Sequence, residues 1–163
     1  MNQLLHVSAS PHIKDRVTTS SIMLDVIIAL IPATLFGIIQ FKINALLIIV
    51  TTITTCVLAE YLYERFMKKT ITIKDLSAVV TGLILALNLP STVPLWLPVI
   101  GGLFAIIVVK QFYGGLGQNF MNPALAARCF LLISFAGRMT NFVFDGLTSP
   151  TPLVFLKNGQ SYE

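Results

Sequence analysis

Long apolar runs separated by short polar breaks set the pattern of this chain. Residues 22–41 contain one charged side chain, Asp25, and residues 43–62 contain one, Glu60. Each run is close to the roughly 20 residues an α-helix needs to cross about 30 Å of hydrocarbon. Two crossings are expected there, with Lys42 and Asn44 marking a tight turn between them. Pro32 falls inside the first run and predicts a kink, since neighbouring helices in a membrane can satisfy the carbonyl it frees.

A polar stretch from Glu64 to Asp75 follows, and then a third apolar segment, 76–89, that is short and interrupted by Asn88, Pro90 and Pro94. A broken helix is expected, of the kind that lines a cavity in transporter folds because irregular backbone inside lipid must be buried or hydrated. The fourth span is expected over 95–109, with Trp96 near its start and Phe112 and Tyr113 past its end as interfacial aromatics. A glycine-rich loop, 114–122, leads to a fifth helix over 123–136, which Pro123 suits at its first turn and Asn122 as its cap. Residues 137–163 read as a polar, turn-rich tail.

Composition excludes a water-soluble domain. Of 163 residues 55% are hydrophobic and only 11% charged, against about a quarter charged in soluble proteins, and the mean hydropathy is +0.83. The net charge of +4 does not point to nucleic acid, because the Lys and Arg form no aromatic-interleaved basic face. It reads instead as topology. Lys14 and Arg16, then Arg65, Lys68, Lys69 and Lys74, then Lys110 fall on one side of the expected spans, while Lys42, Arg138 and Lys157 fall on the other. The positive-inside rule therefore places the N-terminus in the cytoplasm of a multi-pass protein of the inner (plasma) membrane. The polar first twenty residues lack the apolar core of a secretory peptide, so the first run is expected to stay as the insertion signal. Cys56 and Cys129 lie inside apolar runs, with no metal spacing and no disulfide framework.

Several polar residues need a reason. Asp25, about one turn into the first span, is either interfacial or faces an ion pathway or cofactor. Glu60 and Glu64, on one helical face, read as a solvated helix end. Arg128 among Ala126, Ala127 and Cys129 either snorkels or holds a phosphate or carboxylate in its planar fork. Thr81, Asn88 and the threonines of 51–55 are expected to bond across helices. GGLGQNFMNP lacks the Lys-Ser/Thr of a phosphate-binding loop, and its glycines are expected to allow close approach of a helix or flat ring.

Three stretches taken together, VSASPHI at 7–13, GGLGQNFMNPALAARCF at 114–130 and DGLTSPTPL at 145–153, resemble the RnfD/NqrB family. These are membrane subunits of the Rnf ion-translocating ferredoxin:NAD oxidoreductase and of the sodium-pumping NADH:quinone oxidoreductase. AVVTGLILALNLP at 78–90 is similar to that family's interrupted third helix. The resemblance implies an all-α polytopic fold of about five transmembrane helices, one half of a two-part architecture like that of the urea transporters. Residues 1–21 are then cytoplasmic, 22–136 the membrane segments of a single domain, and 137–163 an extracytoplasmic tail.

The resemblance also implies FMN joined through its phosphate to a threonine, in a pattern approximating Asp-x-x-Ser/Thr-Gly-Ala-Thr. Thr151 matches the acceptor, with Asp145, Thr148, Ser149 and Pro150 before it; Ser149 and Pro150 replace the commoner Gly-Ala pair. Pro150 and Pro152 suit an extended, accessible turn. Asn119, Asn122 and Arg128 are further cofactor-binding candidates, and riboflavin is a second candidate flavin. No metal site or catalytic side chain is implied. The expected function is electron transfer through covalent FMN coupled to Na+ or H+ movement. The expected partners are the other subunits of a membrane complex, a flavin transferase and the lipid bilayer. Half of a small-solute channel or secondary transporter, or a purely structural subunit, are the competing readings.

Overall fold

A computed structural model describes residues 18–144 and 147–149, with backbone only from residue 142. Thr18 opens the first helix by accepting from Ser21 N on its hydroxyl at 3.3 Å, which satisfies one of the free donors of a helix start. Helix α1, Thr19–Phe66, has one non-helical residue, Lys42, at φ 55° and ψ −136°. A residue with a Cβ is strained in that left-handed region. The chain doubles back there: Ser20 Oγ donates to Lys74 O at 3.0 Å, and Leu30 and Ile38 pack near Ile48 and Ile49. The turn thus lies where Lys42 marked it, although Asn44 is already helical. The first limb, 19–41, runs helical through Pro32 to a second limb, 43–66.

A single 3-10 turn, Ile73–Asp75, precedes α2, Ser77–Leu87, which buries residues on every side of its helix. Gly82 explains how α2 comes so close to the second limb. A Cβ placed there would lie 2.9 Å from Ile53 Cα, so only glycine allows the two backbones to touch. The helix ends at Leu87, and Pro90 and Pro94 keep 88–95 out of regular structure. Helix α3, Trp96–Leu103, then continues into a π-helix, Phe104–Gln111. Its wider ladder persists past its end, with Phe112 N on Ile107 O at 3.1 Å and Gly115 N on Lys110 O at 3.0 Å.

Gly114, Gly115 and Gly117 adopt φ of 113°, 100° and 85°. These glycines are required by a left-handed turn, and no helix or other backbone crowds the Cβ position of any of the three. The close approach expected of them belongs instead to Gly82, Gly101 and Gly102, inside the bundle. Helix α4, Pro123–Ser134, starts as expected, with Asn122 Oδ1 accepting from Ala124 N at 3.0 Å and Leu125 N at 3.4 Å. Phe135 leaves helical geometry, and a short α5, Ala136–Met139, follows. The tail then forms a hairpin the sequence did not announce. Strands β1, Phe142–Phe144, and β2, Leu147–Ser149, pair antiparallel with Phe142 opposite Ser149 and Val143 opposite Thr148.

The helices define two ends. At one, the close of the second limb meets the start of α2 and the close of the π-helix, where Lys110 bonds both Glu60 and Ser77. At the other, the Lys42 turn, the 88–95 break and the exit toward the hairpin come together, since Met139 packs with Ile48, Ala86 and Val93 and Thr92 Oγ1 donates to Asn141 O at 2.7 Å. The interrupted segment therefore runs from one end to the other. The exterior is carbon: Phe36, Ile39 and Ile133 are 68%, 76% and 84% exposed, while Glu60 and Lys110 are 0% and 1%. Such an inverted distribution suits a lipid surround. α1 is long and apolar enough to span a membrane, and Ser77–Leu87, Trp96–Gln111 and Pro123–Ser134 are shorter apolar helices. The helical membrane-protein character read from the sequence is thus present in the fold.

Gly82→Val should wedge α2 from the second limb and cost about 1–3 kcal/mol, the usual penalty of overpacking. In detergent this appears as a lower temperature for loss of monodisperse elution. Gly37→Ala, which meets open space, should leave that temperature unchanged.

Candidate functional site

Glu60 sits one turn before Glu64 on the second limb, and both carboxylates are buried. Lys110 Nζ donates to Glu60 Oε1 at 2.6 Å and to Ser77 Oγ at 2.5 Å. Gln111 Nε2 reaches the same Glu60 oxygen at 3.1 Å. The π-helix brings these consecutive residues onto one carboxylate, because a ladder closing at i+5 turns the chain less from residue to residue. Ser77 passes the connection on, donating its hydroxyl to Asp75 Oδ1 at 2.6 Å and its amide to the same oxygen at 2.8 Å. Glu60 Oε2 is buried with no hydrogen-bond partner among the described residues.

This overturns the reading of Glu60 and Glu64 as a solvated helix end and of Lys110 as a loop cation. The face of the second limb that carries Glu60 is covered because the start of α2 and the close of the π-helix pack over it. Sequence marks where an apolar run stops, not what closes over the stop. Glu64 takes Thr72 N at 3.0 Å and the Thr72 hydroxyl, which ties the return loop to the helix. Next to it opens a polar cleft of about 320 Å³, lined by Glu64, Lys69, Thr72, Asp75, Gln111 and Gly115. Gln111 belongs to both, so one side chain separates the cleft from the buried pair.

The residues singled out by sequence fall elsewhere. Arg128, half-buried on α4, donates from Nη1 to Asn88 Oδ1 at 2.6 Å, joining α4 to the end of α2. Asn88 also donates to Ile84 O at 2.8 Å, within its own helix. Asn119 Nδ2 donates to Met121 O at 3.0 Å, and Asn122 caps α4. Asp25 is exposed on the first limb. Thr51, Thr52, Thr55 and Thr81 all bond a carbonyl four residues back in their own helix, so the expected cross-helix bonds are not made by these hydroxyls. The backbone of Thr148 and Ser149 lies in β2. Asp145, Pro150 and Thr151, and the stretch 7–13, lie outside the described residues. Among the described residues no cluster of His, Cys, Asp and Glu is placed to hold a metal.

The sequence pattern of the NQR2, RnfD, RnfE family matches residues 6–163. The chain is 49% identical over 99% of its length to 52% of the D subunit of the Na(+)-translocating ferredoxin:NAD(+) oxidoreductase complex of Acetobacterium woodii. It is 41% identical over 93% of its length to 47% of the D subunit of the proton-translocating ferredoxin:NAD(+) oxidoreductase complex of Clostridium ljungdahlii. Against the D subunit of the ion-translocating oxidoreductase complex of Shewanella denitrificans the identity is 42% over 84% of this chain and 40% of the relative. The chain thus spans about half the length of the curated relatives it matches. The resemblance carried by the three sequence stretches is borne out.

Lys110→Met should leave Glu60 buried without its cation and cost about 3–5 kcal/mol, whereas Lys110→Met with Glu60→Gln should recover most of that loss. Thermal unfolding of the single and double variants in detergent checks both.

Proposed function

Because this chain belongs to the NQR2, RnfD, RnfE family, we propose that it builds one half of the membrane body of a flavin-carrying subunit in a redox-driven ion translocase of Rnf type. It lies in the inner membrane, crosses it about five times and keeps its N-terminus in the cytoplasm. It works beside the other subunits of an electron-transport complex, after a flavin transferase has esterified FMN to Thr151. Support for the orientation comes from Arg65, Lys68, Lys69 and Lys74, exposed at the end of the bundle that holds Glu60, which is the cytoplasmic end by the positive-inside rule. The tail leaves at the opposite end.

The residues near the acceptor fit this role. Phe142 stands opposite Ser149, and Thr92 holds Asn141, so the strand that leads to Thr151 returns to where the chain left the bundle. Thr151 follows Ser149 by two residues in the sequence, which supports an acceptor near the outer end. Arg128 has one nitrogen on Asn88 and further donors in its fork for an anionic group. FMN, when bound, supplies the redox chemistry; the protein holds it and sets its surroundings.

One observation carries the ion-coupled part: a buried carboxylate, Glu60, held by a tethered ammonium and keeping one oxygen unpartnered among the described residues. Relatives are named for sodium and for proton translocation. A carboxylate sealed from water by Lys110 can hold a mobile cation or a proton when the ammonium swings aside, and the neighbouring cleft gives cytoplasmic access. Ion exchange at Glu60 then answers charge movement at the far end of the same bundle.

Intact mass of the purified protein, coexpressed with a flavin transferase, should show one added FMN ester. Thr151→Ala should remove that mass and darken the denatured band under ultraviolet light; a dark wild-type band would end the flavin assignment. Glu60→Gln combined with Lys110→Met, which removes both charges together, should keep the fluorescent band and the oxidation of donor while cation uptake by vesicles is lost. Uptake at the wild-type ratio would sink the part given to Glu60, and solute flux without flavin would favour a channel or transporter half.

A further inference from the structure

The described carboxylates all belong to one end of the bundle. Glu60, Glu64 and Asp75 gather there, and Asp25 lies in the opening turns of the limb that Ser20 ties to Lys74. The opposite end carries two exposed cations, Lys42 at the strained turn and Arg138 on α5, and no acid among the described residues. It is also the side on which the positive-inside rule leaves basic residues scarce. Charge complementarity at this end favours an anion.

Arg138 is held in place without being used up. Its guanidinium carbon lies 5.8 Å from the centre of the Trp96 ring, within range of attraction to the ring face. Phe135 braces Trp96 in turn, edge-on at 5.2 Å and 81°, and Met139, next to Arg138, is buried with Ile48 and Val93. Among the described residues the Arg138 side chain makes no hydrogen bond or ion pair, whereas Arg128 already gives a nitrogen to Asn88. A planar fork with its donors open suits a phosphate. The patch lies at the root of the tail, where Thr92 donates to Asn141 O and β1 begins at the next residue, opposite Ser149 of β2.

From this juxtaposition we infer that Arg138, positioned by Trp96, is the cation that pairs with the phosphate of the FMN ester on the tail. The pairing rests on the flavin reading given above and gives that group a partner in the bundle. A phosphate diester keeps its negative charge at every physiological pH. The other described cation at this end, Lys42, sits on the turn between the two limbs, while Arg138 sits on the segment that enters the tail.

Arginine modification tests the pairing in full-length protein purified in detergent from cells with and without the flavin transferase. Reaction of the Arg138 peptide with phenylglyoxal is followed by mass. The ester-bearing protein should react about fivefold more slowly at Arg138 than the ester-free protein, with Arg65 at the far end unchanged. Arg138→Gln should lower the fluorescence anisotropy of the native flavin while the added ester mass stays, and Arg138→Lys should keep most of the anisotropy. Equal rates with and without the ester overturn the assignment. Slow reaction in both also overturns it, since a carboxylate of the tail then holds Arg138, and so does protection at Arg128 alone. Absence of the ester from protein made with the transferase would instead sink the flavin reading, and the pairing with it.

Discussion

A carboxylate and an ammonium inside a carbon-walled bundle constrain everything packed around them. Glu60 and Lys110 come from segments fifty residues apart, and neither can be buried alone without a cost that would unfold a marginal protein. The second limb, the start of α2 and the close of the π-helix must therefore arrive together. Gly82 lets α2 come close enough to present Ser77, and the π-helix turns Lys110 and Gln111 inward. Polar atoms fix which helix faces which, where apolar packing alone would accept several rotations.

The same bundle separates two kinds of chemistry. One end carries the buried Glu60–Lys110 pair, and the other carries a polypeptide tail tethered through Thr92 and Asn141. Between them α2 runs the whole way, although it is helical for only eleven residues. The prolines that keep 88–95 out of regular structure lie at that second end, beside the exit of the tail. The ion-coupled redox role proposed above would use this separation, with a stiff body linking two distant places.

Much of the fold was legible in the sequence because its signals are local. The turn at Lys42, the stop before Pro90 and the cap at Asn122 each depend on a few adjacent residues. What the sequence hid was relational. Glu60 looks like the polar end of an apolar run until α2 and the π-helix close over it, and Lys110 reads as a loop cation because nothing in FAIIVVKQ distinguishes a π ladder from an α one. The glycines at 114–117 and at 82 look alike as letters, yet the former are needed for φ and the latter for contact. The hairpin went unseen because its strands are three residues each, too short for alternation to register. The expected acceptor, Thr151, rests on the resemblance alone and lies outside the described residues.

The π-helix adds a mechanical property to the charge pair it presents. Eight residues closing at i+5 sit out of step with the α-helical register that precedes them in α3. Restoring the α register would screw the segment about its own axis, turn Lys110 off Glu60 and advance the glycine turn behind it. Any rotation of this helix would therefore change what faces that carboxylate, as pitch and travel are linked in a threaded rod.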